Sequence, residues 1–249
     1  MDALSWILLL AVSFVSSIIG SMIGTAMLIL PPTMIFLGIP IHTAVATARF
    51  SMVGIGIGNL SNFSLKQKIR LKYVVPFAIA GVIGSLISSF SLKNINEEIL
   101  KTVIGVLMIA ISLLILFEER IVLKKKKPEI SLKRNILSIL GGFFVGGYLG
   151  IVGGGGATIT IFLLVMIYGL SFRDAVVNQK AVTMPISIIT TIAFIYQGLI
   201  NYKIGVPLLL VNIAGGWMGA ALLLKFKNVW LKMLLVPVIV IMAIKLIFF

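Results

Sequence analysis

Cysteine is absent from these 249 residues, so neither disulfides nor thiol chemistry takes part. Acidic residues are scarce as well: Asp2, Glu97, Glu98, Glu118, Glu119, Glu129 and Asp174 are the full set, and none falls in the centre of an apolar run. A proton relay or cation site built on embedded carboxylates therefore has no obvious material. The one histidine, His42, stands at the start of an apolar run and reads as an interfacial residue rather than a ligand. No Gly-x-Ser-x-Gly, His-Glu-x-x-His or cysteine pair occurs, and no Lys-Ser/Thr follows Gly156 to make a phosphate loop. These absences argue against an enzyme, and nothing calls for a metal or a cofactor.

What is present is apolar. Sixty per cent of the residues are hydrophobic, 11% are charged, and the mean hydropathy is +1.19. Soluble domains carry about 45–50% apolar and about 25% charged residues, so this composition points to a membrane protein. The net charge of +14 could suggest nucleic acid, but its placement excludes that partner. The cations occupy the breaks between apolar runs: Lys66, Lys68, Arg70 and Lys72, then Arg120 to Arg134 around Lys124–Lys127, then Lys225, Lys227 and Lys232. That is the positive-inside pattern of cytoplasmic loops. The first run, from Leu4 to about Met22, has no basic residues before it and reads as a first membrane helix rather than a cleaved signal.

Ten apolar segments follow one another: 3–22, 25–39, 42–64, 71–92, 97–117, 135–152, 155–169, 174–198, 203–224 and 229–248. The expected fold is an all-α polytopic membrane protein of 8–10 membrane helices. Residues 1–117 form an N-terminal repeat, 118–134 a mobile basic cytoplasmic linker and 135–249 a C-terminal repeat. A shift of 131 positions superposes residues 20–85 on 151–216 without a gap, with 13 of 66 pairs identical. Gly24 falls on Gly155, Gly38 on Gly169, Lys72 on Lys203, Pro76 on Pro207 and Gly84 on Gly215. Glycine and proline punctuate backbone geometry, so their shared positions imply shared shape. An odd number of crossings per half makes the halves inverted repeats, with the three basic loops inside and both termini outside. The 15-residue segments 25–39 and 155–169 reach only ~22 Å against a ~30 Å hydrocarbon core, which leaves half-helices open for them.

Two features carry chemistry. The first is glycine: Gly153-Gly154-Gly155-Gly156 in one half and Gly20…Gly24-Thr25 in the other. Four consecutive glycines, each costing about 1 kcal/mol against alanine, break a helix. A break at membrane depth is tolerated where protein or a water-filled cavity surrounds it. The helix that follows, beginning near Ala157 (or Ala26), offers unpaired N–H groups to an anion. Close helix packing is the competing reading, and it suffices for Gly215 and Gly219.

The second feature is a pair of embedded cations. Arg49 lies roughly 10 Å along its helix from the loop, and Lys180 is its equivalent 131 positions on. Ionisable residues at that depth usually mark a substrate path. Snorkelling to the interface, or for Lys180 a pair with Asp174, is the alternative. Thr183, Ser187 and Thr191 continue the Lys180 face at steps of three or four, and Gly56 and Asn59 continue that of Arg49. Thr47 and Asn178 are equivalents just before the cations. Two cations with no carboxylate nearby select an anion.

The doubled pattern Gly24…Gly38…Ala44-Val-Ala-Thr47-Ala-Arg49 and Gly153–Gly156…Gly169…Ala175-Val-Val-Asn178-Gln179-Lys180 resembles the TauE/SafE, or sulfite-exporter-like, family of membrane permeases. Each copy is followed by a proline-bearing helix with spaced glycines: Pro76, Gly81 and Gly84, then Pro207, Gly215 and Gly219. Phe162 stands where the first half has Pro31. The resemblance implies a multi-pass inner-membrane permease moving sulfite, sulfoacetate or a related sulfur-containing anion. The expected mechanism is alternating access at the midplane. Arg49 and Lys180 would supply charge, and backbone N–H groups after Gly24-Thr25 and Gly153–Gly156 would supply hydrogen bonds. Thr47, Asn178, Gln179, Thr183 and Ser187 would orient the anion. The expected partners are that anion and the lipid bilayer, and a homo-oligomer is allowed. A passive anion channel or a non-transporting scaffold are the alternatives.

Overall fold

The computed structural model describes residues 2–63, 69–122, 130–223 and 229–248. Among these, ten α-helices run α1 Ala3–Ile23, α2 Leu30–Phe36, α3 Ile41–Phe63, α4 Leu71–Ser91, α5 Glu97–Val122, α6 Leu132–Ile151, α7 Gly156–Tyr168, α8 Phe172–Tyr196, α9 Tyr202–Leu223 and α10 Val229–Phe248. No strand occurs among the described residues. Each of the ten apolar segments carries a helix, as hydrocarbon demands, because a helix satisfies its own backbone. Five of the helices are long and apolar enough to cross a bilayer. Large apolar side chains such as Leu4, Ile79, Phe144 and Leu210 lie on the outer surface, as they do where the solvent is lipid.

The two short segments are short helices. A 3₁₀ turn over Ala26–Leu28 precedes α2, whose seven residues reach about 10 Å, and the 13 residues of α7 reach about 20 Å. Pro31 and Pro32 sit in the first turn of α2, where their missing N–H groups cost nothing. The linker expected over 118–134 is partly helical. α5 continues through Glu118 and Glu119 to Val122, and α6 begins at Leu132, capped by the Ser131 hydroxyl on the Arg134 N–H. Glutamate and arginine are good helix formers, so a charged stretch can extend the helix before it. Lys66, Lys68, Lys124–Lys127, Lys225 and Lys227 lie outside the described residues.

The punctuating glycines share a conformation. Gly24 and Gly155 have φ of 80° and 75°, and Gly38 and Gly169 have 84° and 72°. These are left-handed values open to glycine at little cost. Helix packing repeats in the same way. α9 packs on α1 and α3, and α4 packs on α6 and α8, so each pairing returns when every helix is exchanged for its repeat equivalent. The result is two bundles, α1-α2-α3-α9 and α6-α7-α8-α4, each taking its last helix from the other half of the sequence. α3 meets α8 between them, and α5 pairs with α10 alongside.

Close glycine contacts join both bundles internally, with Gly54 and Gly58 of α3 against the α9 backbone and Gly219 of α9 against the Ile18 carbonyl, and the first bundle adds buried hydrogen bonds. Gly146 stands against the Gly81 backbone, Gly142 against Phe77 and Gly84 against Phe143, so α4 and α6 touch backbone to backbone. In the other bundle Asn212 of α9 donates to the carbonyl and hydroxyl of Ser51, both at 3.1 Å, and accepts from Ser13 at 2.8 Å.

Candidate functional site

Both helix breaks lie inside the protein and face each other. Gly24, ending α1, packs on Ala157 and the Thr158 N–H at the start of α7, while Gly154 packs on the Met27 carbonyl. The Tyr148 hydroxyl donates to the Gly154 carbonyl and stitches α6 across its own break. Gly155 faces Ile111, Gly156 faces Leu149, and Thr25 is fully buried with its hydroxyl unpartnered among the described residues.

A helix end leaves carbonyls without intrahelical partners, and they carry the negative end of the dipole. In α1 the Gly24 N–H takes the Gly20 carbonyl, and the next carbonyl, Ser21, accepts the Lys180 ammonium at 2.5 Å. In α6 the Val152 N–H takes the Tyr148 carbonyl, and the next one, Leu149, accepts from Arg49 Nη2. Each half's cation thus caps the first helix of the other half. Arg49 is 3% exposed, and its Nε is buried without a partner among the described residues. Gly153, at φ 76°, lies against the Arg49 guanidinium where a side chain would collide.

Arg49 and Lys180 share one cavity of about 320 Å³ between α3 and α8. Of the residues expected at the site, Arg49, Lys180, Gln179, Thr183, Ser187, Gly24 and Gly153 line it. The apolar wall includes Met27, Met52, Met184 and Ile55, and among the described residues no acidic one lines it. Gln179 Nε2 donates to the Thr183 hydroxyl at 2.8 Å, so this pair presents a fixed arrangement. Thr25, Thr47, Asn178, Gly154, Gly155 and Gly156 do not line the cavity. Thr47 instead accepts the Asn201 N–H at 3.0 Å before α9, and Asn178 accepts the Arg70 N–H at 2.7 Å before α4.

Asn59 is the polar wall residue outside the expected ligand set. It accepts from the Ser21 hydroxyl, whose own carbonyl holds Lys180. Its place on the Arg49 face of α3 was visible in the sequence, but its link to Ser21 of α1 was not. Asp174 pairs with Arg70 at 3.2 Å. His42 meets the Ile95 carbonyl at 3.0 Å, near the start of α5.

Residues 8–246 match the sulfite exporter TauE/SafE family, nearly the whole chain. The chain belongs to that family. It is similar to a probable membrane transporter protein of Haemophilus influenzae, 26% identical over 95% of this chain and 90% of the relative. A probable membrane transporter protein of Bacillus subtilis is 24% identical over 92% of this chain and 93% of its own length. No solved structure matches the chain. As a TauE/SafE protein it is multi-pass, and the cavity lies between α3 and α8.

Proposed function

We propose that this TauE/SafE protein is a transporter that carries small anions, sulfur-containing oxyanions or sulfonates foremost, by alternating access at the α3–α8 cavity. One observation carries the reading: cations from repeat-equivalent positions, Arg49 and Lys180, converge on a cavity whose lining holds no carboxylate among the described residues. A site walled by apolar side chains and two cations favours an anion strongly over a neutral molecule. Gln179, Thr183, Ser187 and the backbone at Gly24 and Gly153 surround the same space, while Thr47 and Asn178 support it by fixing the starts of α9 and α4. The repeated packing and the shared left-handed glycines favour two halves of one design, and five segments per half favour inverted copies in a cytoplasmic membrane. Ile69 lines the cavity and is 42% exposed, so the cavity reaches the surface beside Arg70 and Lys72. By the positive-inside rule that mouth is cytoplasmic.

The test is flux of sulfite, sulfoacetate and methanesulfonate into liposomes holding the purified protein, with and without Lys180→Ala. A charge-assisted hydrogen bond is worth roughly 1.5–3 kcal/mol, so a loss of about tenfold or more is expected. Unchanged anion flux in the variant would remove the reading.

A further inference from the structure

The cation contacts have a direction that the cavity alone does not reveal. Arg49 belongs to α3 in the first bundle, and its carbonyl partner, Leu149, belongs to α6 in the second. Lys180 belongs to α8 in the second bundle, and its partner, Ser21, belongs to α1 in the first. Both bonds cross the plane between bundles. Their neighbours do not: Thr47 to Asn201 stays within the first bundle, and Asn178 and Asp174 to Arg70 stay within the second.

We infer that Arg49 and Lys180 are clasps between the two bundles, and that an anion entering the cavity opens the clasps by taking the cation donors from the Leu149 and Ser21 carbonyls. This inference rests on the anion-carrying reading of the same cavity. A carbonyl offers a cation only a dipole, whereas an anion offers full charge and a hydrogen bond about twice as strong. The exchange is short, because both cations line the cavity already, and Arg49 holds a buried Nε with no partner among the described residues. A neutral solute in the cavity leaves the carbonyl bonds in place, so occupancy alone does not free the bundles. Binding and movement are thus coupled through the groups that recognise charge, and the ligand shifts the conformational equilibrium through its differential contacts with the two states.

The bundles are suited to moving as units. Backbone contacts at Gly81, Gly84, Gly142 and Gly146 hold α4 to α6, and the Ser13–Asn212–Ser51 bonds hold α1, α9 and α3. Between bundles, the α3–α8 interface is interrupted by the cavity.

The absence of cysteine makes the test clean, since introduced thiols are unique. Spin labels at Ser61→Cys on α3 and Leu132→Cys on α6 report the distance between bundles, and labels at Leu132→Cys and Tyr196→Cys report the second bundle alone. Distances are measured by electron paramagnetic resonance with and without sodium sulfite or sodium sulfoacetate, beside anion-dependent thermal stabilisation of the same samples. The expected result is an inter-bundle distribution that shifts with anion while the intra-bundle one stays. Lys180→Met and Arg49→Met should show the shift without anion, and Lys180→Arg should retain the unshifted distribution. Stabilisation by anion with no inter-bundle shift overturns the clasp and leaves the anion site standing. Absence of any anion stabilisation overturns the anion site, and with it the proposed release. A Met variant that fails to fold is replaced by Lys180→Gln or Arg49→Gln, which remove the charge and keep a polar side chain, and the same shift without anion is expected. An apo distribution identical to the wild type in every folded clasp variant also overturns the inference.

Discussion

Thr47 and Asn178 stand 131 positions apart, and each accepts a backbone N–H beside the start of a helix, Thr47 from Asn201 and Asn178 from Arg70. Arg70 and Asn201 are themselves 131 positions apart. The residues two places before the cavity cations therefore fix the starts of α9 and α4, and only indirectly shape the cavity. Thr47→Val and Asn178→Leu should each lower thermal stability in detergent, toward the lower end of the about 1–3 kcal/mol of an unpaired buried donor, because both N–H groups are partly buried. Anion preference measured on the folded fraction should stay as in the wild type.

Gly153 is expected to be intolerant of any side chain. Its φ of 76° alone costs a non-glycine residue about 1–2 kcal/mol. A Cβ would also meet Arg49 and Met27. Gly198, at φ 68°, has open space around its Cβ position and separates the two effects. Gly153→Ala should abolish anion-dependent stabilisation, whereas Gly198→Ala should show the backbone cost and keep that response.

The joint between α4 and α6 depends on having no side chain at Gly146. Its Cβ would fall on the Gly81 backbone, which has nowhere to go. Gly146→Ala should destabilise the protein by roughly 1–3 kcal/mol, the usual range for an overpacked contact. Unfolding monitored by helical circular dichroism in detergent checks it.

Asn212, 131 positions after Gly81, adds hydrogen bonds to a joint in the other bundle that Gly54, Gly58 and Gly219 also hold. Polar contacts between membrane helices average about 0.6 kcal/mol and reach about 1.7 kcal/mol. Asn212 makes three such bonds, so Asn212→Leu should sit at the upper end of that range or above it. The double variant Asn212→Leu/Ser13→Ala should lose less than the sum of the two single losses, because the two share a bond.

The Arg70–Asp174 pair should matter little on its own. Its side chains are 39% and 36% exposed, and such pairs contribute about 0–1 kcal/mol, less in salt. Asp174→Asn should leave stability within that range, while Asn178→Leu at the same joint should cost more. The comparison is a pair of melting curves at low and high ionic strength.

The helical membrane fold, the short segments and the two breaks were legible in the sequence. Lipid permits hydrocarbon-length apolar runs to fold as helices, and four glycines in a row cannot continue one. The embedded cations were legible for a similar reason, since an ionised side chain deep in an apolar run needs a cause. The roles of Thr47 and Asn178 were not legible. From the sequence they are polar groups beside a cation, and only the packing of α3 on α9 and of α8 on α4 shows which N–H groups they meet. Nor could a sequence show that each half lends a helix to the other's bundle, or that Arg49 reaches Leu149 and Lys180 reaches Ser21. Those contacts join residues 100 and 159 positions apart. Local pattern determines where a helix starts, stops and buries charge, because those costs are set within a few residues. Which helix end a cation caps depends on how ten helices pack in three dimensions, and that was decided by the tertiary structure alone.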